Sequence, residues 1–239
     1  MNKSLLILVS HVSFFLSHRL QLAIEAKKMG YQVKVVFGEM DADIKFLTNH
    51  GIESFHIPIQ RGGTNILKDI KSIYYIWKLF KTLRPDIVHL VTIKPYLYGG
   101  IAARIAKIPC VVSAVSGLGS LFIHKNIASK FLRLLIYPFY KYSLNHPNQI
   151  VVVQNNEDAK ELIKWGVLSF EKVRLIKGSG VKLDDFIQKE EVPGTPIVCF
   201  VSRFLIDKGI YEFVSAANLI KKKGILARFC LAGDIDIKN

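Results

Sequence analysis

The chain has 239 residues, half of them apolar, with 33 Lys and Arg against 19 Asp and Glu for a formal net charge of +14. That apolar content supports a buried core and excludes a disordered polar chain, and there is neither an internal repeat nor a low-complexity tract. Cys110, Cys199 and Cys230 are scattered, without CxxC or Cys/His spacing. They exclude a zinc site and a disulfide framework and read as reduced core thiols of a cytosolic protein.

At the N-terminus Lys3 precedes the apolar residues 5–9, but Ser10, His11, Ser13 and Ser17 interrupt the run and no small-x-small cleavage site follows. No stretch reaches the roughly 18 unbroken apolar residues of a spanning helix, so neither export nor membrane spanning is expected. Residues 5–9 read as a strand covered on both faces. Helical spacing over 18–29 ends at Gly30, a helix-stopping glycine. Strands follow at 33–37 and 54–57, around a short helix at 41–49 closed by Gly51. A long helix at 65–83 carries Ile66, Ile70, Ile73, Trp77 and Phe80 on one face and stops before Pro85. Next come a strand at 87–91, a helix rich in small residues at 96–106 and a strand at 110–115. The helix at 128–144 is expected to kink or break at Pro138. Strands at 150–153 and 173–176 flank a helix at 156–165.

Strand–helix alternation of this kind implies parallel strands joined by right-handed crossovers, a doubly wound α/β sheet. Ligands of such sheets sit outside the carboxyl ends of the strands, which gives weight to the loops at 10–17, 92–95 and 116–121. The polar stretch 188–196 reads as a linker, dividing the chain into domains 1–189 and 190–239. Beyond it lie a strand at 197–201, a helix at 210–222 and a strand at 228–232. One such unit cannot bury its own faces, so the second domain is expected to be incomplete.

The positive charge is uneven: no Asp or Glu occurs from Ile87 to Asn156, where Lys94, Arg104, Lys107, Lys125, Lys130, Arg133 and Lys141 fall. Such a field attracts nucleic acid, anionic lipid headgroups or phosphorylated substrates. Two helices mix cations with aromatics. In the first, Lys68, Lys71, Lys78, Lys81 and Arg84 accompany Tyr74, Tyr75 and Trp77, which read as core. In the second, Lys125, Lys130, Arg133 and Lys141 accompany Phe131, Tyr137, Phe139, Tyr140 and Tyr142, and the absence of acids favours contact with an anionic bilayer.

Ser202-Arg203-Phe204-Leu205-Ile206-Asp207-Lys208-Gly209 follows a strand and opens a helix. Backbone N–H groups and the positive helix end then point at one place. Arg203 offers a planar fork and Lys208 a mobile point charge, two complementary ways to hold a pyrophosphate. The residues alone leave open whether these cations hold a ligand or are only solvated. Gly117-Leu118-Gly119 is no dinucleotide fingerprint, because Phe122 stands where the third glycine belongs and no acidic residue follows at the expected distance.

Arg203-x4-Lys208-Gly209 after the first strand of the second domain resembles the donor-phosphate motif of glycosyltransferase family four. Residues 10–22 (SHVSFFLSHRLQL), 86–103 (DIVHLVTIKPYLYGGIAA), Ser116-Gly117-Leu118-Gly119, and Gly178-Ser179-Gly180-Val181 followed by Phe186 resemble, in the same order, members that build bacterial surface polysaccharides and glycans. The resemblance implies a GT-B fold: a doubly wound Rossmann-like N-terminal domain and a second, here incomplete, Rossmann-like domain. It implies retaining transfer of N-acetylhexosamine or a related sugar from a UDP-sugar, itself a substrate, with no cofactor and no metal. The acceptor is an undecaprenyl-diphosphate-linked saccharide at the inner, cytoplasmic face of the membrane, with the enzyme peripheral on that anionic surface and nucleic acid no partner. By resemblance, Arg203 and Lys208 bind the donor diphosphate and stabilise the departing UDP. Gly178 and Gly180 let their loop approach the donor. His18 and Arg19 face the reacting sugar or the acceptor phosphates, His18 either polarising a hydroxyl or capping its helix.

The sequence departs from the family twice. The histidine that many relatives carry after the fifth strand is replaced by Ser113-Ala114-Val115-Ser116, so Ser116 or a backbone group must contact the donor sugar. The family's Glu-x7-Glu pair does not occur before residue 239. The chain is therefore expected to be C-terminally truncated and inactive as it stands. A binding remnant and a GT-B UDP-sugar epimerase are the alternatives.

Overall fold

The computed structural model describes residues 3–59, 65–118, 127–181, 183–191 and 193–234, with backbone alone at 127–129 and 185. Residues 119–126, which include the expected positions Gly119, Leu121, Phe122 and Lys125, lie outside the described residues. The chain divides into two units, Met1–Lys182 and Leu183–Asn239.

In the first unit seven strands form one parallel sheet: β1 (Ser4–His11), β2 (Gln32–Glu39), β3 (Glu53–His56), β4 (Ile87–Val91), β5 (Cys110–Val115), β6 (Gln149–Val153) and β7 (Val173–Leu175). Their spatial order is β3-β2-β1-β4-β5-β6-β7. Among the described residues seven helices cover it: α1 (Val12–His18), α2 (Leu20–Lys28), α3 (Lys45–Asn49), α4 (Ile66–Leu83), α5 (Ile93–Ala106), α6 (Ile127–Leu144) and α7 (Asn156–Lys164). Side chains alternate across a strand. Leu6, Leu8, Val88 and Leu90 therefore join Ile76, Phe80, Tyr96, Tyr140 and Leu162 under α4 to α7. Leu5, Ile7 and Val9 join Val12, Phe15, Ala23 and Leu47 under α1 to α3. The winding reverses between β1 and β4, and the crevice at such a switch point is where ligands of doubly wound sheets bind.

Close packing of α5 explains its small residues. A Cβ on Gly99 would come 2.7 Å from Leu90 Cδ2 and 3.0 Å from Leu8 Cδ2, and one on Gly100 would run into Ser143 Oγ of α6. The N-terminal positive-end region of α5 starts at Thr92, which holds φ 76° and ψ 166°, a costly conformation for a β-branched residue. Its hydroxyl meets that of Ser10 at the end of β1, across the switch point.

The structure corrects several expectations. Residues 10–17 are not a loop. Val12 and Phe15 are buried, Phe15 against Phe37, and this draws 12–18 into a helix that breaks at Arg19. The core face of α4 is Ser72, Ile76 and Phe80, while Ile66 and Ile70 are 74% and 58% exposed. Tyr74 is exposed too, so the α4 aromatics are not all core. In α6, Tyr140 is buried whereas Phe131, Phe139 and Tyr142 are exposed, and the helix continues through Pro138. Cys110 and Cys230 are half-buried and Cys199 exposed, so none is a core thiol.

The second unit pairs β8 (Ile197–Val201) with β9 (Arg228–Ala232) in parallel, joined by α8 (Ile210–Lys222). Phe213 of α8 packs between Phe200 and Phe229, with ring centroids 5.4 and 5.8 Å apart. None of its described residues is buried.

Candidate active site

A cleft of about 590 Å³ opens at the carboxyl end of the sheet. It is lined by Phe14, Ser17 and His18 of α1, Ser116 after β5, Gln154 after β6, and Gly178, Ser179, Gly180 and Val181 after β7. The structure thus brings together four of the residues singled out in the sequence, His18, Ser116, Gly178 and Gly180, from segments far apart in the chain. Among the described residues no carboxylate lines the cleft.

His18 is exposed, and neighbours set its ring. It stacks on Phe14 with centroids 4.3 Å apart and planes 2° from parallel, and its Nδ1 lies 2.7 Å from Ser17 Oγ. The pair offers a flat surface beside a hydroxyl, a suitable floor for a sugar ring. The histidine does not cap its helix at the start; it is the last residue of α1.

Arg19 is 8% exposed. Its Nη1 donates to the His18 carbonyl oxygen at 2.8 Å and to Ser179 Oγ at 3.1 Å, and its Nε is buried without a hydrogen-bond partner. Burial lowers its pKa from 12.5, yet a guanidinium remains charged. No carboxylate among the described residues pairs with it. A buried cation without a counter-ion is costly, and an anionic ligand would offset that cost.

The buried His89 of β4, which feels the Arg19 charge, is held neutral. Burial first, and then the Arg19 charge, depress its pKa from 6.5 to about 4, while a hydrogen bond with the Val112 backbone opposes the shift. Its Nε2 has no partner. Sequence reasoning missed His89, which looked like one more residue of an apolar strand, and also missed Phe14, Ser17 and Gln154. Gln154 was within reach of the carboxyl-end rule, since it directly follows β6.

Gly178 and Gly180 hold φ +70° and +74°, and a Cβ on either would meet nothing within 4 Å. Their glycine requirement is therefore conformational, and the space beside them is open for a ligand.

In the second unit Arg203 and Lys208 are exposed. Residues Ile206–Lys208 form a single 3-10 turn, and Gly209 at φ 82° starts α8 with no side-chain cap. The first amides of α8 are left for a ligand or water, as at any uncapped helix start.

A family model described as glycosyl transferase 4-like matches residues 4–155. An N,N'-diacetylbacillosaminyl-diphospho-undecaprenol alpha-1,3-N-acetylgalactosaminyltransferase of Campylobacter jejuni is 28% identical over 95% of the chain and 63% of its own length. A UDP-Gal:alpha-D-GlcNAc-diphosphoundecaprenol alpha-1,3-galactosyltransferase of Escherichia coli is 27% identical over 79% of the chain and 50% of its length. The chain thus spans between half and two thirds of these relatives. Among solved structures, a glycosyltransferase of Rickettsia africae aligns with TM-score 0.67 at 18% identity, over 99% of the chain and 62% of its own. HepE of Anabaena, solved with UDP and glucose, aligns with TM-score 0.68 at 16% identity, over 98% and 61%. The α/β GT-B fold expected from the sequence is the fold of these structures.

Proposed function

This chain belongs to the glycosyl transferase 4-like family, and we propose that it serves a retaining transfer of a sugar from a UDP-sugar to an undecaprenyl-diphosphate-linked saccharide. The observation that carries the reading is the cleft at the carboxyl end of the sheet: roomy enough for a sugar, lined among the described residues by hydroxyls, an amide and an aromatic floor and by no carboxylate, with the buried cation Arg19 hydrogen-bonded to Ser179 of its wall. A neutral polyol bearing a phosphate fits that set. The names of the Campylobacter and Escherichia relatives, both acting on diphospho-undecaprenol-linked sugars, favour the acceptor, and the former favours N-acetylhexosamine as the sugar moved.

In this reading His18 and Ser17 orient a sugar hydroxyl, Ser116 and Gln154 bind hydroxyls, and Gly178 and Gly180 keep the β7 loop out of the ligand's way. Arg203 and Lys208 hold the donor diphosphate and stabilise the charge that develops on the departing UDP. They take the neutralising role that a metal ion has elsewhere, so no metal or cofactor is invoked. The site works on the cytoplasmic face, on the anionic membrane surface where the lipid-linked acceptor resides. No helix among the described residues is long and apolar enough to cross a membrane.

A panel of radiolabelled UDP-sugars with a short-chain prenyl-diphosphate saccharide tests the reaction. With a protein of the relatives' full length, label moving onto the lipid with the anomeric configuration of the donor is the expected result. Release of free sugar without lipid would replace the reading with epimerisation, and duplex DNA binding that UDP-sugar does not displace would replace it with a nucleic-acid role.

A further inference from the structure

The strand register of the second unit brings together two cysteines that lie far apart in the chain. β8 and β9 run parallel, and Cys199 is the register partner of Cys230. Neighbouring strands lie about 4.8 Å apart, so the Cα atoms of register partners sit at about that separation. A disulfide spans Cα separations of about 4.4–6.8 Å.

The two thiols also share a face. Phe200 and Phe229 pack on Phe213 of α8, and successive side chains of a strand point to opposite faces. Cys199 precedes Phe200 and Cys230 follows Phe229, so both project from the face opposite α8. Cys199 is exposed and Cys230 half-buried, which leaves the pair open to a small reagent. Cys110 is placed differently: it lies in the first unit, where its register partner on β4 is Ile87 and Asn148 Nδ2 lies 2.9 Å from its Sγ.

We infer that Cys199 and Cys230 form a redox-sensitive dithiol, which a low-molecular-weight disulfide closes into a bond clipping β8 to β9. One protein thiolate attacks glutathione disulfide, and a glutathione thiolate leaves. The other then attacks the protein sulfur of that mixed disulfide and expels the second glutathione. Two protein thiols are oxidised, one glutathione disulfide is reduced to two glutathione thiols, and the two protons pass to the departing thiolates. The Cα spacing falls in the lower part of the range a disulfide tolerates, where the bond carries strain and is readily reduced. A reversible bond is the form that disulfides take in reducing compartments. Cys199 lies in the strand that leads into Arg203, so the clip fixes the base from which that segment leaves the sheet. The inference concerns the thiols alone and does not rest on the proposed transfer.

Oxidation of the 239-residue chain with glutathione disulfide tests the pair. Alkylation, digestion without reductant and mass spectrometry should find the Cys199 and Cys230 peptides joined, with the loss of two hydrogens, and dithiothreitol should separate them. Cys199→Ser and Cys230→Ser should each abolish the link. Amide exchange across β8 and β9 should slow about tenfold or more in the linked chain, the lower range of what a loop-closing disulfide contributes. It should stay at the reduced rate in Cys199→Ser under the same oxidant. Glutathione retained on both cysteines without a link would overturn the dithiol, as would a link made through Cys110 or between two copies of the chain. Unchanged exchange in the linked chain would overturn the clip.

Discussion

Arg19 Nη1 donates a hydrogen bond to Ser179 Oγ at 3.1 Å, tying the break between α1 and α2 to the glycine loop after β7, 160 residues along the chain. The same guanidinium nitrogen holds the His18 carbonyl at 2.8 Å. One side chain thus positions both walls of the cleft, the one carrying His18 and the one carrying Gly178 and Gly180. Arg19→Lys keeps the charge but loses the planar fork. Transfer should fall about tenfold, the loss of one hydrogen bond to a charged group. Ser179→Ala added to Arg19→Lys should cost little more, because the two residues act through one contact. Initial rates of the four members of the cycle check this, and additive losses would contradict the shared contact.

His89 makes stability depend on pH. Its folded pKa of about 4 lies below the ordinary 6.5, so the unfolded chain binds the proton more readily. The stabilising effect of keeping this imidazole neutral is full above pH 6.5 and lost as pH falls from 6.5 toward 4. The shift corresponds to about 3 kcal/mol, at roughly 1.36 kcal/mol per pKa unit. Urea unfolding at pH 7.5, 5.5 and 4.5 should show the decline, and His89→Leu should flatten it. A wild-type profile level across that window would show that the site opens to water.

Gly100→Ala sets two effects against each other. Alanine favours a helix by about 0.5–1 kcal/mol, but the added Cβ would strike Ser143 Oγ and come 2.9 Å from the Ser143 backbone oxygen. The backbone of α6 cannot move aside cheaply, and overpacking costs about 1–3 kcal/mol. The clash wins, and the melting temperature should drop by roughly 5 °C. Scanning calorimetry decides the sign.

The donor contacts assigned to the second unit predict weaker UDP binding. In a protein of the relatives' full length, Arg203→Ala and Lys208→Ala should each lower UDP affinity about tenfold or more, the scale of a hydrogen bond to a charged group. Both side chains are exposed, so melting behaviour should be unaffected. Titration calorimetry with UDP measures the effect, and unchanged affinity in both variants would remove the phosphate assignment.

How much of this could be read in the residues varies with the kind of signal. The elements β5, β8, α8 and β9 have the limits expected from their sequences, because parallel strands are short continuous apolar runs and their helices end at glycine, proline or polar residues. The doubly wound order follows from the same alternation. The lining of the cleft was legible where a motif places backbone, as at Gly178 and Gly180, and where a loop follows a strand, as at Ser116.

Local pattern by itself determined the strands, the crossovers and the end of the sheet where the cleft opens, since periodicity and turn chemistry act over a few residues. Only the tertiary structure decided which side of α4 is buried. That helix carries isoleucine on more than one face, and only its packing partners select Ile76 over Ile66 and Ile70. It also decided that residues 12–18 coil rather than loop, because Phe15 needs Phe37 from the next strand. The burial of Arg19 and the neutrality of His89 belong to the same class, as both come from the removal of water by residues distant in sequence.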